Sequence, residues 1–285
     1  MAEKLFDKAR CRMAAFDLDG TLIREFSRSP TPKVRKALAD LKESGVPPVV
    51  SSGRDLSQID PELLELFSYA VLTNGSCVAE LPEGKLLYSH AIPWFTLYRA
   101  MRKVRRNGGA CFLMQYGLIR GTDEGEEIVF ETMLKHVKGE AMLSGYSGEE
   151  MRYKKDLEAA NPFAKPTYKV QDFFRNAEDC GRAFRELEKE KGLEILKMFG
   201  TTIEITAAGV TKGAALDALC GSLGMEAGSY AAFGDGRNDL EMLQSAAYAV
   251  AMENGERCVK DIADCIAPPV SEDGAAAAIR SLYGI

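Results

Sequence analysis

The chain has 285 residues, of which 46% are hydrophobic, and a formal net charge of −6 with a pI near 5.3. This length favours one large domain or two smaller ones. The acidic balance argues against a nucleic-acid partner, because nucleic-acid binding usually requires a basic excess. No apolar run approaches the ~20 residues that span a bilayer, and the N-terminus lacks the apolar centre of a secretory signal. We therefore expect a cytoplasmic protein that has no membrane partner and acts on a small molecule.

Histidine and cysteine offer little catalytic chemistry in this chain. The two histidines, His90 and His136, do not support a His-rich metal site or a histidine-dependent triad. The seven cysteines form no CxxC pair, so we expect reduced thiols in structural roles and no zinc site. These absences direct attention to the carboxylates.

Strands and helices alternate at both ends of the chain, as is typical of an α/β fold with a parallel sheet. Thr31 before Pro32 predicts the start of a helix, and Gly45 predicts its end. The strands predicted in the N-terminal part are Arg12–Phe16, Pro47–Ser51 and Ala70–Gly75. In the C-terminal part the predictions are helix Lys212–Leu223, strand Tyr230–Gly234, helix Asp239–Ser245 and strand Tyr248–Met252, with one more helix, strand and helix to finish.

Residues 81–208 differ from these flanks and predict an inserted α+β domain, or cap, within a core made of residues 1–80 and 209–285. A cap above the carboxyl edge of the core sheet would serve as a lid. Its predicted elements are strands Ala110–Gln115, Leu118–Arg120, Leu193–Phe199 and Thr202–Thr206, a helix over Trp94–Arg106, and an exposed helix over Arg182–Lys191. The basic residues of the first helix indicate a solvated face, with an anion-binding surface as the alternative.

The segment Asp17-Leu18-Asp19-Gly20-Thr21 carries the strongest chemical signal, because it follows a predicted buried strand. Open α/β sheets bind ligands at the carboxyl ends of their strands. Two carboxylates two residues apart, followed by a glycine that permits a sharp turn, can act as nucleophile and general acid/base.

A second acidic segment, residues 234–239, follows the predicted strand Tyr230–Gly234, so Asp235 should approach Asp17 at the same sheet edge. Hard oxygen ligands on separate strand ends suit Mg²⁺ together with a substrate phosphate. A divalent ion would offset the repulsion between an attacking carboxylate and a phosphate dianion. Ser52, the Gly53 amide and Lys212 at a helix start are candidate donors to phosphate oxygens.

Four segments together resemble the motifs of the haloacid dehalogenase superfamily of phosphatases: Asp17-Leu18-Asp19-Gly20-Thr21, Ser52-Gly53-Arg54, Lys212-Gly213 and Gly234-Asp235-Gly236-Arg237-Asn238-Asp239. The large insertion after the third strand is similar to the type IIB cap of Cof-like sugar-phosphate phosphatases. The resemblance implies a Rossmann-like doubly wound parallel sheet with an inserted α+β cap. Ser52 stands where threonine is commoner in the family, and Gly255 stands where alanine is usual.

Carried over by position, the resemblance implies a role for each motif residue. Asp17 would be the nucleophile that forms an aspartyl-phosphate, and Asp19 the acid/base. The groups that would hold phosphate are Ser52, Gly53, Lys212 and Asn238. Mg²⁺ would be held by the side chains of Asp17 and Asp235 and the main-chain carbonyl of Asp19, with Asp239 in a supporting role.

These observations lead to the hypothesis of an Mg²⁺-dependent phosphomonoesterase for a small phosphorylated metabolite, such as a sugar phosphate. One alternative is a phosphomutase or phosphotransferase that passes the phosphoryl group to a second hydroxyl. Others are a non-enzymatic phospho-acceptor and a catalytically silent protein that binds a phosphorylated metabolite. The oligomeric state and the leaving group are not readable from the sequence.

Overall fold

The computed structural model describes residues 5–24, 27, 29–121 and 165–285. These residues form two compact units. The first comprises the described residues of Met1–Arg54, Ile59–Tyr88 and Thr211–Ile285, and the second those of Asp55–Gln58 and Ser89–Val210. His136, like the rest of residues 122–164 in the expected insertion, lies outside the described residues. Among the helices that are described, none is both long and apolar enough to cross a membrane.

The strands that the structure describes belong to two sheets. In chain order they are β1 (Met13–Phe16), β2 (Pro48–Ser51), β3 (Tyr69–Leu72), β4 (Cys77–Glu80), β5 (Lys85–Ser89), β6 (Gly109–Met114), β7 (Ile119–Gly121), β8 (Lys169–Phe174), β9 (Leu193–Met198), β10 (Thr202–Ala207), β11 (Tyr230–Gly234), β12 (Tyr248–Met252) and β13 (Cys265–Ala267). The described α-helices are α1 (Pro32–Glu43), α2 (Pro61–Leu64), α3 (Trp94–Arg106), α4 (Ala177–Leu187), α5 (Lys212–Ser222), α6 (Leu240–Ser245), α7 (Arg257–Lys260) and α8 (Gly274–Tyr283).

The larger sheet has eight strands in the order β13-β12-β11-β1-β2-β3-β4-β5. The strands from β13 to β3 pair in parallel, so the predicted α/β fold with a parallel core sheet is confirmed. Every residue of β1 and β11 is buried, as expected of central strands covered on both faces. Thr73, Asn74 and Gly75 all adopt positive φ, and β4 returns antiparallel to β3. The predicted turn is confirmed there, but the sequence did not reveal the returning strand.

Helix α1 shows how local sequence defines an element of the first unit. The Thr31 hydroxyl accepts a hydrogen bond from the Val34 amide, and Pro32 occupies the first turn, where its missing N–H costs nothing. The apolar residues at helical spacing are buried, and the chain leaves the helix at Ser44 before Gly45 in the left-handed region. The predicted start and end of this helix are confirmed.

The second unit contains a five-stranded antiparallel sheet in the order β7-β6-β8-β10-β9. Helices α3 and α4 contribute apolar side chains to one core with β6, β8 and β10. The predicted strand pairs and the first helix are confirmed. The second helix begins at Ala177, five residues before the predicted start at Arg182, because Asn176 caps it by accepting from the Asp179 amide. Its buried face makes it amphipathic rather than wholly exposed.

Three basic residues of α3 make ion pairs with two glutamates, one in the last turn of α4 and one just after it. Arg106 pairs with Glu186, while Arg99 and Lys103 pair with Glu190. The hydrogen bond from Arg106 holds the pKa of Glu186 below its usual value. This finding supports the interpretation of a charged helix face more than that of an anion-binding surface.

Asp172 on β8 is a carboxyl group in the apolar core of the second unit. It stands opposite Cys111 on β6 and Ile203 on β10, and its side chain is fully buried. The Cys111 thiol is the hydrogen-bonding neighbour of its carboxyl group in the part of the chain that the structure describes. Burial raises the pKa of Asp172 to about 8, against a smaller lowering by the Cys111 thiol.

We predict that Asp172→Asn flattens the pH dependence of stability. The folded chain holds a proton on Asp172 up to about pH 8, whereas the unfolded chain loses it near pH ~4, so the free energy of unfolding falls as pH rises between these values. The slope from this group is at most about 1.4 kcal/mol per pH unit. Urea unfolding at a series of pH values measures it. The exposed Asp261→Asn is the control, and an equal slope in wild type and Asp172→Asn would contradict the prediction.

Candidate active site

Asp17 and Asp235 lie at the C-terminal edge of the parallel sheet because each follows the end of a central strand. Phe16 of β1 stands opposite Phe233 of β11, and the Asp17 amide donates to the Phe233 carbonyl at 2.9 Å. This register brings the two predicted carboxylates to the same edge. The strand order β11-β1-β2 also places Ser52, which follows β2, at that edge.

Lys212 joins two carboxylates of the site. Its ammonium donates to Oδ1 of Asp17 at 2.5 Å and to Oδ1 of Asp239 at 2.6 Å. Lys212 is the first residue of α5, and Thr211 caps that helix by accepting from the Ala214 amide. The Lys212 side chain is fully buried, so its position is set by these two partners rather than by water.

Asp239 fixes the loop that carries Asp235. Its Oδ2 accepts from the backbone amides of Asp235 and Gly236, each at 3.0 Å. With Oδ1 bound to Lys212, both carboxylate oxygens of Asp239 are occupied. Asp239 therefore joins Lys212 to the loop that carries Asp235.

The turn after Asp19 requires the glycine of the first motif. Gly20 has φ of +89°, and a Cβ built on it would lie 2.2 Å from Oδ2 of Asp235. The Thr21 hydroxyl donates to Oδ1 of Asp235 at 2.9 Å, and the Asn254 amide donates to the Gly20 carbonyl at 2.9 Å. The local sequence does not predict these contacts of Thr21 and Asn254, although Thr21 belongs to the first motif.

Burial and crowding shift the ionisation of the clustered acids. Burial raises the pKa of Asp17 well above its usual value, and the Lys212 charge opposes this shift. Burial, followed by repulsion from Asp239, raises the pKa of Asp235 to about 7. Burial alone would lower the pKa of Lys212, but the charges of Asp17 and Asp239 outweigh it and raise that pKa. The charge of Lys212 thus opposes the rise in the pKa of both Asp17 and Asp235.

The donor set of this cluster suits a hard divalent cation. Asp17, Asp235 and Asp239 each offer a carboxylate oxygen, and these oxygens lie within 4.8 Å of one another. Repulsion from neighbouring carboxylates adds to burial in raising the pKa of both Asp17 and Asp235. Carboxylate oxygens are the ligands that Mg²⁺ prefers. The side chain of Asp19 is not part of this cluster.

Asp19 is instead held by Arg54. The guanidinium donates from Nε to Oδ2 at 2.9 Å and from Nη2 to Oδ1 at 2.5 Å, while 54% of the Asp19 side chain stays exposed. This two-pronged geometry is the preferred one for arginine and carboxylate. Arg54 belongs to the second motif, but nothing in the local sequence links it to Asp19, 35 residues away.

The remaining predicted phosphate ligands have contacts with other groups. Ser52 is buried, and its hydroxyl accepts from the Arg54 amide at 3.2 Å. Gly53 is half-buried beside it. Asn238 donates from Nδ2 to Oδ1 of Asn74 at 3.5 Å. The structure therefore unites Asp17, Lys212, Asp235 and Asp239 directly, whereas Ser52, Gly53 and Asn238 lie on the loops around them.

The family model for haloacid dehalogenase-like hydrolases matches residues 14–279, nearly the whole chain. The chain belongs to this family. The family predicted from the four motifs is thereby confirmed, and this haloacid dehalogenase-like hydrolase is an enzyme.

Curated relatives match this hydrolase over almost its full length. The 5-amino-6-(5-phospho-D-ribitylamino)uracil phosphatase YcsE of Bacillus subtilis is 30% identical over 275 residues, covering 94% of each chain. The putative phosphatase YkrA of the same organism is 26% identical over 275 residues, covering 95% of this chain and 97% of the relative.

Solved structures share the fold of this hydrolase. A haloacid dehalogenase-like hydrolase from Bacteroides thetaiotaomicron has a TM-score of 0.81 at 23% identity, covering 95% of this chain and 99% of that one. A subclass IIB sugar phosphatase of the superfamily has a TM-score of 0.76 at 24% identity, covering 96% and 99%. The predicted Rossmann-like core with an inserted cap is confirmed at the level of fold.

We predict that Lys212→Met lowers the free energy of unfolding by about 3 kcal/mol, because it leaves buried carboxylates without their cation. Adding Asp239→Asn to Lys212→Met should cost less than the sum of the two single changes, since the second removes one uncompensated charge. Urea unfolding near neutral pH measures both effects. Lys36→Met removes an exposed lysine that pairs with Asp40, and should change stability by less than about 0.5 kcal/mol. Additive losses at Lys212 and Asp239 would contradict the prediction.

Proposed function

We propose that this hydrolase is a phosphomonoesterase that works through an aspartyl-phosphate on Asp17. The observation that carries the proposal is the buried Asp17–Lys212–Asp239 arrangement at the carboxyl edge of the sheet, with Asp235 beside it. A carboxylate that attacks a phosphate dianion needs positive charge close by. Lys212 supplies that charge at 2.5 Å from Asp17.

The proposed reaction has two steps. A carboxylate oxygen of Asp17 forms a bond to phosphorus while the bond from phosphorus to the ester oxygen breaks, and Asp19 donates a proton to that oxygen. Water then gives a proton to Asp19 and attacks phosphorus. The bond from Asp17 to phosphorus breaks, and inorganic phosphate and free Asp17 result. The exposure of Asp19 supports its role, because a proton donor and acceptor must reach both the leaving group and water.

Phosphate oxygens would be bound by Lys212, the Ser52 hydroxyl, the Gly53 amide and the Asn238 side chain. Lys212 supports this role by its charge, and Ser52 and Asn238 by their position on loops at the same sheet edge. Asp239 would hold Lys212 and the Asp235 loop in place, since both of its oxygens are already engaged.

Mg²⁺ would be held by the side chains of Asp17 and Asp235 and by the main-chain carbonyl of Asp19. Carboxylate oxygens of Asp17 and Asp235 lie within 4.8 Å of each other, which supports these two side chains as ligands. When bound, Mg²⁺ supplies positive charge that offsets repulsion between Asp17 and the phosphate. Thr21 would orient Asp235 by its hydrogen bond to Oδ1, which leaves Oδ2 for the ion.

The substrate class we propose is a small phosphate monoester of a sugar or sugar alcohol. One relative is named for a phosphoribityl compound, and one structural neighbour is called a sugar phosphatase. The net charge of −6 argues against nucleic acid as the substrate.

We predict that wild-type protein releases inorganic phosphate from at least one member of a panel of sugar and sugar-alcohol phosphates. Asp17→Asn should lower the rate of this release by at least about a thousandfold. Asp261→Asn, an exposed change, is the control and should retain it. Chromatography of the products distinguishes hydrolysis from transfer, because a mutase yields an isomeric phosphate ester instead of free phosphate. Full turnover by Asp17→Asn would overturn the proposed nucleophile.

We further predict that removing divalent cations with a chelator abolishes phosphate release and that added Mg²⁺ restores it. Binding can be measured without turnover, since Mg²⁺ should raise the thermal midpoint of unfolding of the wild-type protein. Asp235→Asn should bind Mg²⁺ more weakly, because it removes a carboxylate from the cluster. An equal Mg²⁺-dependent shift in wild type and Asp235→Asn would contradict the assignment of this ligand.

A further inference from the structure

The chain passes from the first unit to the second at the peptide bond between Arg54 and Asp55. Arg54 belongs to the first unit, whereas Asp55–Gln58 is a short segment that packs with the second. Each of these adjacent residues is bound within its own unit. Arg54 and Asp55 are thus adjacent charged residues whose side chains are bound in different units.

Arg54 is anchored in the first unit through both its backbone and its side chain. Its amide donates to the Ser52 hydroxyl at 3.2 Å, and its carbonyl accepts from the Thr73 amide at 3.0 Å. The guanidinium then makes its two-pronged contact with Asp19. The direction in which the guanidinium leaves the backbone thus determines where Arg54 holds the Asp19 carboxylate.

Asp55 is anchored in the second unit through hydrogen bonds to its side chain. Its side chain is fully buried, and Oδ1 accepts from the Ser57 hydroxyl at 2.7 Å and the Ser57 amide at 3.0 Å. The Gly117 amide also donates to this carboxylate, at 2.9 Å to Oδ1 and 3.1 Å to Oδ2. Three donors converge on one buried carboxylate, which satisfies a charge that would otherwise be costly to bury.

The contact with Gly117 is not explained by local turn formation. The Ser57 contacts alone would form a local turn. Aspartate side chains often accept a hydrogen bond from the backbone two residues later in the chain. Gly117 lies 62 residues away, in the turn between β6 and β7. Tyr116 and Gly117 both have positive φ there, and the Gln115 amide closes the hairpin by donating to the Leu118 carbonyl at 2.8 Å. The turn between β6 and β7 therefore presents this amide to Asp55.

We propose that Asp55 is a positioning residue for the acid/base step, and that it acts through Arg54 on Asp19. By binding the β6–β7 hairpin, Asp55 fixes the backbone on the far side of the Arg54 peptide bond and so restrains the guanidinium that holds Asp19. This inference rests on the proposed function, because it requires Asp19 to transfer a proton. Asp55 itself touches neither substrate nor the reacting atoms.

The experiment compares two phosphate monoesters whose leaving groups differ in their need for a proton. A sugar phosphate has a basic alkoxide leaving group that requires protonation, whereas 4-nitrophenyl phosphate releases a stable phenolate. Rapid-mixing kinetics measure the first step for both, as the release of the sugar and of nitrophenolate in the first turnover. The variants are Asp55→Ala, Asp55→Asn and, as the reference for a lost acid, Asp19→Asn.

We expect Asp55→Ala to slow first-turnover release of the sugar by about tenfold or more relative to its effect on nitrophenolate release, with little change in KM. Asp19→Asn should show the same selectivity with a larger loss. Asp55→Asn keeps an oxygen that can accept from the Gly117 amide, so it should recover most of the rate. Asp60→Ala is the matched control, because Asp60 caps the nearby α2 by accepting from the Glu62 amide, and it should show no selectivity.

The outcomes separate the two proposals. Equal losses on both substrates in Asp55→Ala, alongside selectivity in Asp19→Asn, would overturn the positioning role and leave the proposed function intact. Selectivity in Asp60→Ala equal to that in Asp55→Ala would also overturn the positioning role, because any change in this loop would then suffice. Wild-type protein that hydrolyses neither ester would overturn the proposed function and this inference with it. Urea unfolding of each variant checks that it is folded when assayed.

Discussion

The buried ammonium of Lys212 is the interaction on which the site depends. It binds Asp17, 195 residues away, and Asp239, 27 residues away, so one side chain ties together the end of β1, the start of α5 and the loop after β11. Without this cation, two carboxylates would be buried without a counter-charge, at a cost of several kcal/mol. The positive charge that stabilises the buried Asp17 carboxylate is also the charge that would bind a phosphate group. Lys212 therefore serves both the stability of the site and its proposed chemistry.

That ion pair is possible only because the backbone segments around it approach closely. Gly75 has φ of +106°, and a Cβ there would lie 2.2 Å from the Thr211 carbonyl, next to Lys212. Gly20 plays the same part beside Asp235. In both turns the absence of a side chain lets one loop contact another across the sheet edge. Gly20 and Gly75 are thus required by long-range packing as well as by local chain reversal.

The sequence predicted those elements whose signal is local and missed those whose stability depends on distant partners. Strands β1 and β11 are continuous apolar runs, which indicate burial on both faces. Strand β8 was missed because it carries a lysine and an aspartate at buried positions. Lys169 is compensated by Glu204 at 2.5 Å, and Asp172 stays neutral through its raised pKa, neither of which a local pattern reveals. The contact between Arg54 and Asp19 was not predicted for the same reason, since the two residues are 35 positions apart in the sequence.

The two carboxylates of the first motif are held in contrasting ways, and the contrast matches the proposed division of labour. Asp17 is buried against Lys212, so moving it would separate charges in a medium of low dielectric. Asp19 is half exposed, and a surface ion pair such as the one with Arg54 is worth only about 1 kcal/mol or less. A nucleophile gains from being fixed, whereas an acid/base must exchange partners during the reaction. Because Arg54 holds Asp19 through a two-pronged contact, a restraint on the Arg54 backbone bears on where Asp19 points. The fully buried Asp55, one residue further on, can supply that restraint.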